Sequence, residues 1–158
     1  MLLFGHLGLT IGISWLLERR IRIDYRLIAL GSLLPDIIDK SFGFLIFSTG
    51  RALAHSILFI LLLCLLAFWK RSFLYLAFAS FLHLLQDEMW KSSTFYFPFM
   101  ELEIKEISDD YVAKALNSYF FLSKTLIFEI LGASILLLFV LFRLKGFEKL
   151  KIFFEKSD

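Results

Sequence analysis

The sequence predicts an all-α membrane protein, a polytopic bundle of about five helices. Three observations carry that prediction: the apolar share of the chain, the spacing of its hydrophobic segments, and the charge between them. Of the 158 residues 59% are hydrophobic, and 20 are Phe. A water-soluble domain of this length covers its exterior with polar groups, and this composition supplies too few of them. A hydrocarbon core about 30 Å thick asks for roughly 20 mostly apolar residues per spanning helix, so the chain has room for four or five spans in a single membrane domain over residues 1–158.

The first segment, residues 2–17, has no basic n-region and no small-residue cleavage site before its arginines, so it reads as a first membrane helix and not as a removable signal. The second, 27–47, is interrupted by Gly31, Pro35, Asp36, Asp39, Lys40 and Gly43 and is expected to break near Pro35 to Gly43. Backbone freed at membrane depth persists only against protein or a wet cavity, which turns this segment inward. The third, 52–69, holds the single cysteine, Cys64, so no intrachain disulfide forms. The fourth covers 72–90 and the fifth about 120–142.

Basic residues fall between segments one and two (Arg19, Arg20, Arg22, Arg26), between three and four (Lys70, Arg71), and in a basic tail over 143–158. Five spans put all three groups on one side, which the positive-inside rule assigns to the cytoplasm. The other side receives an outer loop at 91–118, richer in acidic residues, whose MELEIKEI and DDYVAKALNSYFF stretches suit a short strand or amphipathic lid as well as a solvated connector. Net charge is only +2, with the 17 basic residues dispersed, so nucleic acid is not expected as a partner. The lipid bilayer is.

Ionisable side chains inside membrane segments cost roughly 2.5 to 3.5 kcal/mol each on insertion scales, so each needs a partner or a function. All three histidines, His6, His55 and His83, lie in hydrophobic segments, together with Asp36, Asp39, Asp87 and Glu129, and with Arg51 beside them. Under the five-span topology these groups reach a similar depth below the outer face. His83 and Asp87 are i and i+4, as are Arg51 and His55, while Asp36 and Asp39 are i and i+3, so each pair shares a helical face. Imidazoles with carboxylates and no thiolate suit Zn²⁺, with Mn²⁺ or Fe²⁺ as alternatives. The expected metal ligands are His6, Asp36, His55, His83 and Asp87. Asp39 is expected to act as a general base or to orient a ligand, and Arg51 to hold an anionic group or to snorkel to headgroups. Glu129 is expected to pair with Lys124 or Arg51 or to serve as a further ligand. The blander reading of each His, an interhelical hydrogen bond, stands beside the metal reading.

The run GSLLPDIIDK, then GRALAHS, then FLHLLQDEMW, with an early membrane His and a later Phe-Pro-Phe, resembles the membrane-bound metal-dependent hydrolases, the YdjM-like inner-membrane proteins, over roughly residues 1–100. The order His, Asp, His, His-x-x-x-Asp is more distantly similar to zinc-dependent phospholipase C and P1 nuclease. The chain departs from that group in having no His after Asp87. What the resemblance implies is a metal-dependent hydrolase of the inner membrane, acting on an ester or phosphoester, lipid-linked ones included, at a site near the outer face. The alternative is a non-enzymatic membrane protein using the same cluster for structural metal or ion passage. Passage favours polar residues through both halves of the membrane, whereas here the inner halves of segments three to five are almost purely apolar.

Overall fold

A computed structural model of the chain describes residues 3–43, 51–103 and 123–155. Among the described residues there are five α-helices and no strand: α1 (Leu3–Leu17), α2 (Tyr25–Ile38), α3 (Ile57–Trp69), α4 (Phe73–Gln86) and α5 (Lys124–Glu155). Short 3-10 turns cover Leu53–His55, Met89–Lys91 and Ser93–Tyr96.

Local chemistry explains several helix ends. The Asp24 carboxylate accepts from the Arg26 and Leu27 amides at the start of α2, two donors that the first helical turn leaves without a carbonyl. Ser56 caps α3 in the same way through Phe59 N. The break expected around Pro35 falls later than the proline itself. α2 runs through Pro35 to Ile38 and then widens into a π-helical turn over Asp39–Gly43. Proline lacks an N–H, so the Gly31 carbonyl four residues back loses its helical donor. Ser80 Oγ of α4 donates to that carbonyl at 2.9 Å. The proline thereby creates a docking point for α4.

Helix α1 packs against α5 and α2, α2 against α4, and α3 against α4. Small residues set the closest approaches. A Cβ added at Gly8 would lie 2.1 Å from the Gly132 carbonyl oxygen, and one at Gly31 would lie 2.9 Å from Ala79 and Leu76. The apolar core is modest. Ile11, Ile28 and Ala79 form one cluster, and Ile60, Leu84 and Met89 form another, against which Cys64 packs. Large apolar side chains instead face outward, including Leu16, Leu65, Phe68, Trp69, Leu137, Leu138 and Phe142. That is the arrangement expected where the surrounding solvent is apolar.

The five expected spans are not all equally long. Lys124–Leu144 of α5, at 21 residues, is long and apolar enough to cross a membrane, whereas the apolar helices α1, α3 and α4 have 15, 13 and 14 residues. At about 1.5 Å per residue the shorter helices reach roughly 20 to 22 Å, less than a hydrocarbon core of about 30 Å. The end of segment two, the 48–50 connection and most of the candidate strand or lid in the outer loop lie outside the described residues.

Candidate metal centre

The ionisable residues singled out in the sequence gather at one end of the bundle. His6 is in the first turns of α1, Asp36 in the last turn of α2, and His83 in the last turn of α4. Two positions differ from expectation. His55 belongs to the 3-10 turn Leu53–His55 ahead of α3, not to the helix, and Asp87 is the residue that caps α4. Arg51 therefore shares no helix with His55. It reaches across the site, with Nη2 donating to Asp87 Oδ2 at 2.6 Å.

Each imidazole is held from behind through Nδ1. His55 Nδ1 is 2.7 Å from Asp39 Oδ2, His83 Nδ1 is 2.7 Å from the Ser32 carbonyl oxygen, and His6 Nδ1 is 3.1 Å from Gln86 Oε1. A carboxylate and a carbonyl only accept, so Nδ1 of His55 and of His83 carries the hydrogen and Nε2 of each neutral ring presents its lone pair. Those two Nε2 atoms face each other at 3.4 Å. Two lone pairs at that distance repel unless a cation, either a proton or a metal, lies between them.

Asp36 supplies the third corner. His55 Nε2, His83 Nε2 and Asp36 Oδ1 are separated by 3.4, 3.6 and 3.8 Å, and a circle through three such points has a radius of about 2.1 Å, the length of a Zn–N or Zn–O bond. His6, His83 and Asp87 form a second group whose ligand atoms all lie within 4.8 Å of one another, as do those of the first. In that group His6 Nε2 is 3.1 Å from Asp87 Oδ1, and the His6 and His83 rings stack with centroids 3.9 Å apart. His83 belongs to both groups, so its single Nε2 serves one ion and not two. The donor set, nitrogen and carboxylate oxygen without sulfur, fits a divalent zinc, manganese or iron.

The rings of His55 and His83 are fully buried and that of His6 is 1% exposed, whereas the Asp36 side chain is 21% and Arg51 53% exposed. Among the described residues the imidazoles are enclosed, and Asp36 and Arg51 are the members of the cluster with exposed side-chain surface. Asp39, 2% exposed, faces away from the Nε2 atoms. Its Oδ2 accepts from Ala52 N and His55 N as well as from the ring, and its Oδ1 accepts from Ala54 N. Lys40 pairs with Asp36 at 2.7 Å. Next to Asp87, Glu88 takes a left-handed backbone conformation (φ 54°) and pairs with Lys91.

Glu129 lies elsewhere: its carboxylate accepts from Phe4 N and Gly5 N, both at 2.9 Å, at the start of α1. Sequence reasoning did not find Ser32, Gln86, Thr10 or Ser80. Neutral side chains and backbone carbonyls cost little in an apolar segment and raise no alarm. The signal for Ser80 was Pro35, whose i−4 carbonyl required a donor from a neighbouring helix.

A helical bundle with outward apolar faces and a buried His/carboxylate cluster at one end defines a membrane protein with an interior able to hold a metal ion. The chain belongs to the YdjM inner membrane protein family, whose model matches residues 1–150. No curated protein and no solved structure matches it. The family match supports the membrane location. The likeness to hydrolases, and to phospholipase C and P1 nuclease, gains no support from a relative, so the chemistry rests on the site.

Proposed function

We propose that the protein is a polytopic, membrane-embedded metal-dependent hydrolase whose site lies under the outer face and acts on an ester or phosphoester, including lipid-linked ones. The observation that carries this reading is the convergence of bare imidazole nitrogens on carboxylate oxygens at metal-ligand spacing. Asp36, His55 and His83 would hold the ion, with His6 and Asp87 completing the site or holding a second ion. Such an ion, once bound, polarises a substrate oxygen and activates water near neutral pH.

The remaining groups do defined work. Asp39 locks His55 in the tautomer that offers Nε2, and the Ser32 carbonyl does the same for His83. Arg51, exposed at the mouth and anchored on Asp87, is placed to meet an anionic group such as a phosphate. A site at this depth is reached most directly from the bilayer. A structural metal is the second reading, favoured by the burial of all three imidazoles. The partial exposure of Asp36 and Arg51 beside the ligands weighs for catalysis.

Metal analysis of protein purified in detergent tests the first step. Wild-type protein is expected to retain a stoichiometric divalent metal and His83→Ala to lose it, because His83 is common to both ligand groups. Equal metal content in the two would remove the proposed ligand set. Phosphate-ester and phospholipid panels then test turnover, and metal without hydrolysis of any ester would assign the site a structural role.

A further inference from the structure

We infer that Gln86 is a positioning residue that makes His6 a metal ligand: by accepting the Nδ1 hydrogen, its amide oxygen leaves the Nε2 lone pair facing Asp87. The inference rests on the metal-centre reading above. Gln86 is the last residue of α4, between His83 and Asp87, and its amide reaches across to α1. An amide has one accepting end and one donating end, and the end that meets Nδ1 decides the tautomer of the ring. Here Nε2 of Gln86 donates to Thr10 Oγ1 at 3.0 Å, which turns Oε1 toward His6 Nδ1 at 3.1 Å.

Thr10 is fully buried and lies one helical turn beyond His6, on the same face of α1. A threonine hydroxyl oxygen accepts as readily as its hydrogen donates, and here it accepts from the Gln86 amide. With the amide in this orientation the donors run from Gln86 to Thr10 and from His6 to Gln86. In the neutral ring His6 Nε2 then has no hydrogen to give, and it is the buried side-chain polar atom without a hydrogen-bond partner among the described residues. It stands 3.1 Å from Asp87 Oδ1, an acceptor. A lone pair set against a carboxylate oxygen is unfavourable in a poorly solvated interior; a cation shared by the two removes the conflict, and the neighbouring His83 and Asp87 ligand atoms suit that cation to be a divalent metal.

The opposite amide orientation has a different consequence. Gln86 would donate to Nδ1, Nε2 would carry the hydrogen and donate it to Asp87, and His6 would become an ordinary hydrogen-bonding residue. Two substitutions separate these cases. Gln86→Glu can only accept, whereas Gln86→Leu can do neither.

Zinc titration of the detergent-purified full chain is expected to show Gln86→Glu within a few-fold of wild type and Gln86→Leu weaker by roughly 10- to 100-fold, the usual effect of losing a group that orients a ligand. In a His6→Ala background Gln86→Leu should add no further loss. Equal weakening by both Gln86 variants, no weakening by Gln86→Leu, or a full additional loss without His6 would overturn the inference. The tautomer is read independently by two-bond ¹H–¹⁵N correlation on histidine-labelled protein, with the His6 signals assigned by their disappearance in His6→Ala. Hydrogen on Nδ1 is expected, and hydrogen on Nε2 would overturn the role given to Gln86. Wild-type protein that binds no zinc would instead remove the metal-centre reading, and the His6 tautomer in that protein still decides what Gln86 does.

Discussion

Asp39 gathers four hydrogen bonds on two oxygens, from the amides of Ala52, Ala54 and His55 and from the His55 ring. Its negative charge therefore holds the turn that carries His55 and the tautomer of His55 at once. In Asp39→Asn one oxygen becomes a donor facing other donors. Metal affinity should fall by roughly 10- to 100-fold, as for other ligand-orienting groups, and the unfolding midpoint in detergent should drop with it. An Asn variant that binds metal as wild type does would remove the orienting role. At this scale the sequence was most legible where side chains are ionisable, because each of His6, Asp36, His55, His83 and Asp87 is costly in an apolar segment without a partner. Gln86 and Thr10 escaped notice because a neutral amide or hydroxyl can meet its needs within its own helix or from any neighbour.

The element on which the site depends most, outside its own residues, is the crossing of α1 and α5. Gly8 and Gly132 bring the two backbones together so closely that a Cβ at Gly132 would lie 2.1 Å from the Phe4 carbonyl oxygen. Glu129, one turn earlier on α5, accepts from the Phe4 and Gly5 amides and fixes the start of α1 immediately before His6. Gly132→Ala should therefore destabilise the protein by about 1 to 3 kcal/mol or more, the range for overpacking a tight contact, and shift His6. Ser134→Ala, at an exposed position two residues on, should change stability by no more than about 0.5 kcal/mol. Unfolding in mixed detergent compares the two, and equal stability of Gly132→Ala and wild type would mean that the helices separate freely. Helix starts in the sequence fell within about five residues of those found, since apolar runs and their polar borders are local features, whereas α2 ends at Ile38 and α5 continues through the basic tail to Glu155. The pairing of α1 with α5 was not visible, because a lone glycine in a helix does not reveal which backbone approaches it.

For the whole molecule the decisive feature is alternation. The cluster draws on the beginning of α1, the end of α2, the turn that leads into α3 and the end of α4, so successive helices run in opposite directions past one site. A five-span chain does the same, and it places Arg71 and the basic tail at the far end. Under the proposed topology, on a Cys64→Ser background, Lys91→Cys should react with an impermeant maleimide added to intact cells, and Arg71→Cys only after permeabilisation. The reverse pattern would invert the molecule in the membrane. Labelling of both from one side would mean that α4, at 14 residues, dips into the bilayer without crossing it. Crossing by so short a helix requires local thinning of the bilayer or extension by the flanking 3-10 turns, at a modest cost per ångström.

Composition and order alone pointed to a helical, membrane-bound chain, to the places of its helices and to the ionisable residues that need partners, because those properties depend on the transfer energy of each side chain. Tertiary structure decided which face each histidine turns to whom. That depended on a proline-freed carbonyl at Gly31, on two glycines that let α1 and α5 touch, and on one amide reaching from α4 to α1. Such contacts join residues far apart in the chain, and they take effect only once the helices have packed.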